Sequence, residues 1–388
     1  MAKPEEHLKF VLLALYLMLS NASVDGRLIT STKITESIRL IGTLKTIKTL
    51  DGILIDCVDI YKQPALHHPL LQNHIIQMKP SSYPREIKLE TSVSQKNHLE
   101  HSYSCNIFQT FLNNEECPDG TIPIARTTKI YLPGVLLNAA TDNPGQHEYA
   151  QISLVDGKYL GAQAEINVWN PATYDQEFSL AQIRVFLGQP DGSNYIAAGW
   201  MAQPGKNGPG FFISHTRDGK GCFDLQCSGF VHINNKVFLG KNVLQPSSTY
   251  NGRQDQISVA IFKDKQSGHW WVQLQGEPFG YWPNSVFSGL GESATAITWG
   301  GEILNSAAQG RHSSTQMGSG HFPNEGFGKA AFFRNVKYMD GNLVLIDAEN
   351  VELQATKSAC YDVHIENKSK DFGTQFYFGG PGYSDQCQ

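Results

Sequence analysis

Charge is scarce in this sequence of 388 residues: Asp, Glu, Lys and Arg together make up 17%. Neither sign dominates, with 36 acids against 31 Lys+Arg and a net charge of -5. Nucleic acids and anionic membranes need a concentrated positive surface on their partner, so neither is expected to bind. Beyond Leu19 no apolar run approaches membrane length. A Gly-x-Ser-x-Gly nucleophile turn, a His-Glu-x-x-His zinc signature and a phosphate-cradling glycine loop are all missing. The Cys222-x-x-x-x-Cys227 spacing has no second Cys/His pair to complete a zinc site. No metal and no cofactor are therefore expected. Strand–helix alternation is lacking, which argues against a parallel α/β sheet. No fixed-period repeat of the solenoid or propeller kind is seen.

What is present leans towards β-structure. Hydrophobic residues make up 40% and aromatics 11%, with 36 glycines and 15 tyrosines. The N-terminus reads as a secretory signal over residues 1–22: Lys3 and Lys9, an apolar run from Phe10 to Leu19, then Ser20-Asn21-Ala22 as a small-x-small cleavage site. The mature chain is expected to be secreted and free of the membrane. Seven cysteines fit an oxidising compartment. Cys222 and Cys227 suit a short local loop, and Cys360 and Cys387 bracket the last segment and could staple it. Cys57, Cys105 and Cys117 share the first third, where spacing alone leaves the pairing open, Cys105–Cys117 included. Asn367-Lys368-Ser369 is a glycosylation acceptor in a secreted chain.

Residues 23–146 differ from residues 147–388. In the first part Ile34, Ile38, Ile41 and Leu44 recur at helical spacing. Asp51-Gly52 then turns the chain into a short strand, Ile53 to Val58. Pro64, Pro69, Pro80 and Pro84 forbid a continuous helix. Residues 85–103 read as a loop or linker, and Ile122 to Arg126 as extended. In the second part short alternating runs are separated by turn signals. Examples are Gln182 to Leu187 followed by Tyr195 to Ala202, Gln256 to Lys263 followed by His269 to Leu274, and Ala330 to Tyr338 followed by Leu343 to Ile346. The expected fold is all-β: an antiparallel sandwich of two stacked sheets, preceded by a smaller mixed segment. Trp169, Trp200, Trp270, Trp271 and Trp282 are expected chiefly in its core.

The chain resembles the plant neprosin family of secreted glutamic peptidases, which cut beside proline. The likeness is carried by Asp51 to Ala65, His68-Pro69-Leu70-Leu71 and Cys117 to Ile124. It continues through Ile166 to Pro171, Gly199-Trp200, Cys222 to Gly229 and Gly280 to Pro283. It is strongest at Trp299-Gly300-Gly301-Glu302 and Gln316 to Pro323. The resemblance implies a sandwich of two antiparallel sheets and a proenzyme whose residues 23–146 cover the cleft until cleaved in acid. It also implies a Cys57–Cys117 bridge. His67, His68 and His74 lie in the covering segment and are read first as solvated loop histidines; because histidine gains charge on mild acidification, a pH-sensitive release is the alternative.

Peptide hydrolysis by two carboxyl groups needs one ionised, to take a proton from water, and one protonated, to serve the carbonyl or leaving amine. Closely placed like charges create that division. Glu302 matches one of the family's catalytic glutamates. The other belongs where this chain has Ala197, in Tyr195-Ile196-Ala197-Ala198-Gly199-Trp200. As a strand, this segment puts Tyr195, Ala197, Gly199 and Met201 on one face, with a shallow trough at 197 and 199. Tyr195, Gly199, Trp200 and Met201 are the candidate binding residues for a peptide or a proline-rich protein. A methyl group carries no proton, so the expectation is impaired or absent hydrolysis. Glu165 and Asp191 are the candidate substitute acids.

Overall fold

A computed structural model describes residues 39–49, 52–86, 102–104, 115–126, 145–174, 176–188, 194–204, 208–240, 244–287, 292–306, 312–366 and 368–388. The signal segment, Cys105, Asp191 and the glycosylation acceptor Asn367 lie outside them. Contacts group Ile38–Gln388 into one compact unit.

Alternating sequence makes two stacked sheets. In Ser179–Leu187, Ala181, Ile183, Val185 and Leu187 enter the common core, and Leu180, Gln182, Arg184 and Phe186 take the other face. This strand lies at the centre of a seven-stranded sheet. Its spatial order is Lys220–Phe223, Gly210–Arg217, Tyr195–Ala202, Ser179–Leu187, Ala294–Asn305, Gln146–Leu154, Glu352–Ala355. All its pairings are antiparallel.

The second sheet runs Val231–His232, Glu277–Trp282, Trp270–Leu274, Gln254–Lys263, Gly161–Asn167, Ala331–Met339, Val344–Asp347, Arg85–Glu86. Phe376–Gly379 joins it beside Ala331–Met339. Between the sheets lie Trp200, Trp270, Trp282 and Trp299, all fully buried. Truncating any one to alanine would cost about 3–5 kcal/mol. The stacked antiparallel sandwich is the expected all-β fold.

The first part forms a three-stranded sheet, Thr43–Lys48, Leu54–Asp59 and Thr121–Ala125, braced by the Cys57–Cys117 disulfide and the Asp56–Arg126 ion pair. The helical spacing that ends at Leu44 does not yield a helix there: Leu44 lies in the first of these strands. The hairpin with Leu54–Asp59, in register from Lys45↔Cys57 to Lys48↔Leu54, satisfies the backbone instead. The proline-rich stretch breaks into short 3-10 turns, Ile60–Lys62, Pro64–His67 and Pro69–Leu71. Residues 85–103, read as a linker, contribute two short parallel additions to the second sheet. Arg85–Glu86 pairs beside Val344 and Leu345, and Ser102–Ser104 beside Gln254 to Gln256.

This segment packs on the outer face of the second sheet. Ile60, Ala65, Ile76 and Ile122 cluster with Val231, Phe262, Trp271 and Tyr281. His74 Nε2 lies 2.7 Å from the Tyr281 hydroxyl, which also accepts from the Gln77 amide at 2.9 Å. The Gln63 side-chain amide accepts from the His232 backbone N–H at 2.8 Å and donates to the His232 carbonyl at 3.2 Å.

Candidate functional site

The opposite outer face, that of the seven-stranded sheet, holds Glu302. Ala294–Asn305 sends Ile297, Trp299 and Ile303 into the core, which turns Thr298, Gly300 and Glu302 outward. Gly300 is needed for close approach: a Cβ there would come within 2.4 Å of the Ala150 carbonyl oxygen. Gly301 faces inward, where a Cβ would meet Met317 and Phe378 at 2.7 Å. The glycine pair before Glu302 is therefore explained by packing between strands and between sheets.

The Glu302 carboxylate is almost fully used as an acceptor. Oε2 accepts from Gln182 Nε2 at 2.7 Å and from Arg184 Nη2 at 2.5 Å. Oε1 lies 2.6 Å from His147 Nδ1. Burial pushes the Glu302 pKa up, but the Arg184 charge and the His147 and Gln182 hydrogen bonds outweigh it and hold the group below the ordinary carboxylate range. Arg184 is buried in turn, with its guanidinium 5.1 Å from the Tyr195 ring, 5.2 Å from Tyr149 and 5.7 Å from Phe186. Its Nε has no hydrogen-bond partner. Burial, followed by the Glu302 charge, pushes the Tyr149 hydroxyl up to about 12.

Cross-strand rows locate the residues expected from sequence. Ala197 pairs with Arg184, which pairs with Thr298. Gly199 pairs with Gln182 and through it with Gly300, while Met201 pairs with Leu180 and through it with Glu302. Ala197 and Glu302 thus share a face of one sheet, two strands apart and four residues out of line, roughly 16 Å between Cα atoms at ordinary strand spacings. The trough is the row Gly199–Gln182–Gly300, and the Arg184 side chain runs across it to reach Glu302.

Two expectations are corrected. Trp200 does not line this face: it points into the core, fully buried, and its Nε1 donates to the Asn167 carbonyl at 2.9 Å. Strand parity requires this once Ala197 and Gly199 face outward. Glu165 lies in the other sheet, on its outer face, opposite Arg334 and bonded to Gln256 at 2.7 Å. The whole core separates it from Glu302, so it does not substitute for the missing acid.

Gln182, Arg184 and His147 were not singled out from sequence as partners of Glu302. The available signal was parity: Gln182 and Arg184 alternate with Ile183 and Val185, so they must face outward together. The described disulfides are Cys57–Cys117, Cys222–Cys227 and Cys360–Cys387. His312 lies beside the last of these, but disulfide sulfurs are not thiolates and offer a metal nothing comparable.

Ile60, Ala65, Ile76 and Ile122 of the first segment pack on the sheet remote from Glu302. A cover over Glu302 would have to come from residues outside those described.

Residues 175–381 match the Neprosin family, and residues 46–136 match the Neprosin activation peptide. Among solved structures, scytalido-glutamic peptidase with a peptide-based transition state analog is 8% identical, with 61% of this chain and 99% of that chain covered and a TM-score of 0.34. SCP-B, a member of the Eqolisin family of peptidases bound to the tripeptide Ala-Ile-His, is 8% identical, with coverages of 60% and 98% and a TM-score of 0.33. CG-16, a homodimeric agglutinin from chicken liver, is 11% identical, with coverages of 40% and 95% and a TM-score of 0.24. At such scores these likenesses bear neither on the chemistry nor on the ligand.

Proposed function

Because the chain belongs to the neprosin family, we propose that it is a secreted peptide-binding protein on a peptidase scaffold, with impaired or absent hydrolysis. One observation carries this reading: the buried Glu302 is ion-paired to Arg184, and the residue across from Arg184 is Ala197. In hydrolysis by two carboxyl groups, one takes a proton from the attacking water while the other holds a proton for the carbonyl oxygen or the departing amine. Glu302, with Arg184, Gln182 and His147 around it, is held ionised and has no proton to give. Ala197 supplies none either.

The ligand class follows from the family: a proline-containing peptide or a proline-rich protein of the cell wall. Three disulfides fit an oxidising compartment and support a secretory route. The family's activation segment supports a covered state before processing.

Incubation of the purified full chain with a proline-containing peptide, in acid and at neutral pH, tests the reading. The expected result is binding without product, at the background level of a Glu302→Gln variant. Product that vanishes in Glu302→Gln would instead establish an acid-acting endopeptidase.

A further inference from the structure

We propose that Arg184 is a positioning residue that fixes Glu302 as a carboxylate, so that restoring an acid at position 197 does not by itself rebuild a working acid pair. The inference rests on the reading of this face as a disabled peptidase site and adds a second lesion to it.

The argument starts from register. Ala197 and Arg184 are direct cross-strand partners. Their side chains leave the same face of the sheet, where opposed Cβ atoms are about 4.5–5.5 Å apart. From that row the Arg184 side chain extends across the Gly199–Gln182–Gly300 row to Glu302 Oε2. The small side chains on either side of Gln182 leave it this path. Arg184 therefore spans the interval between the two positions an acid pair would occupy.

A carboxylate introduced by Ala197→Glu would arise beside the guanidinium. Arg184 Nε, now without a partner, offers it a donor. Two carboxylates bridged by one arginine are both stabilised in the ionised form. That is the reverse of two carboxyl groups in mutual contact, whose repulsion leaves one of them protonated. Acidification does not release the arrangement, since the guanidinium does not give up its proton. The other groups facing Glu302 do not restore a proton donor. Gln182 does not titrate, the Tyr149 hydroxyl is pushed up to about 12, and His147 contacts the far oxygen.

The test compares Ala197→Glu, Arg184→Met, the double variant and Arg184→Lys in the full chain. Methionine keeps the packing against Tyr149, Phe186 and Tyr195; Arg184→Gln replaces it if Arg184→Met does not fold. The first readout is the protonation of Glu302, followed by infrared difference spectra of its carboxyl and assigned by loss of the band in Glu302→Gln. Wild type, Ala197→Glu and Arg184→Lys should keep Glu302 ionised below about pH 4.3, the ordinary glutamate value. Arg184→Met and the double variant should protonate it above that value, because burial, the largest effect, is then opposed only by His147 and Gln182. Protonation of Glu302 at the same pH with and without Arg184 overturns the proposal.

The second readout is cleavage of a proline-containing peptide. The double variant should exceed Ala197→Glu by about 10²–10⁴-fold, the usual contribution of a proton donor, with activity that rises into acid. Cleavage by both Ala197→Glu and the double variant at the same rate also overturns the proposal. If neither variant cleaves, the spectra still decide the role of Arg184, and the failure counts against the peptidase reading instead.

Discussion

Glu302 and Glu148 sit on adjacent strands of one sheet, Glu148 opposite Ile303, but on opposite faces of it. Both are buried, and both are held below the ordinary carboxylate range against a burial effect that pushes the other way. Their partners differ. Glu302 faces a guanidinium that stays charged at every accessible pH. Glu148 faces His312, whose Nε2 lies 2.9 Å away and whose Nδ1 lies 2.8 Å from the Ser313 carbonyl oxygen. Bonding to that carbonyl places the Nδ1 proton on the Ser313 side and turns Nε2 towards the carboxylate. Asn305 also donates to Glu148, at 3.1 Å. The same side chain thus faces a guanidinium on one side of the sheet and an imidazole on the other.

The largest effects are expected from breaking the Glu302 pair. Glu302→Gln and Arg184→Met should each destabilise the fold by about 3–5 kcal/mol at neutral pH, because each leaves a buried charge alone. Their pH dependence should differ. The Arg184→Met deficit shrinks in acid, where Glu302 takes up a proton, while the Glu302→Gln deficit persists. Denaturant titrations at two pH values check this, and parallel behaviour of the two variants would erase the distinction.

Glu148→Gln should cost less, about 1–3 kcal/mol, since an amide can either donate to or accept from His312 Nε2. The folded pKa of Glu148 is lowered, so its contribution is present above the unfolded value of about 4.3 and lost as pH falls through the folded one. The acid limb of unfolding should therefore be shallower in Glu148→Gln than in wild type.

A titratable contact also holds the first segment. His74 and His269 adjoin each other and Tyr281, near Asp264 and Lys263. Burial, and after it His74, depresses His269 to about 4; burial also lowers His74. Both are favoured neutral, so the stability they support is present above about pH 6.5 and declines towards the depressed values. Hydrogen exchange of residues 60–86 should accelerate over that window before the sandwich loosens; simultaneous opening would contradict it. The smallest effect is expected at Glu165→Gln, within about 0.5 kcal/mol, because this glutamate is only partly buried and its hydrogen bond from Gln256 can be kept by an amide oxygen.

Much of the sandwich was legible because each hairpin carries its own period-two pattern and turn. Gln182 to Leu187 and Tyr195 to Ala202 announce both their strands and their faces. Glu302 was singled out by the family resemblance of its Gly-Gly-Glu segment, not by its local pattern. Arg184 was not, because its partner lies 118 residues away and the contact depends on register between non-consecutive strands. Side-chain length matters too: Arg184 reaches Glu302 from two cross-strand rows away. The helical spacing that ends at Leu44 misled for a related reason, since local periodicity there is overruled by pairing with Leu54–Asp59. Trp200 was misplaced although the parity that positions Ala197 already excluded it from that face.

The Cys57–Cys117 bridge closes within the first segment and does not reach the sandwich. Described contacts between the two are hydrogen bonds, apolar packing and the ion pairs Glu86–Lys337 and Glu116–Lys236, none of them covalent. A nick in the intervening chain would therefore leave two pieces held by no described covalent tether, and departure of the smaller would bare Phe262, Trp271 and Tyr281 as a sticky back surface. Proteolytic maturation of such a protein would create an adhesive flank on the side away from Glu302, ready for self-association.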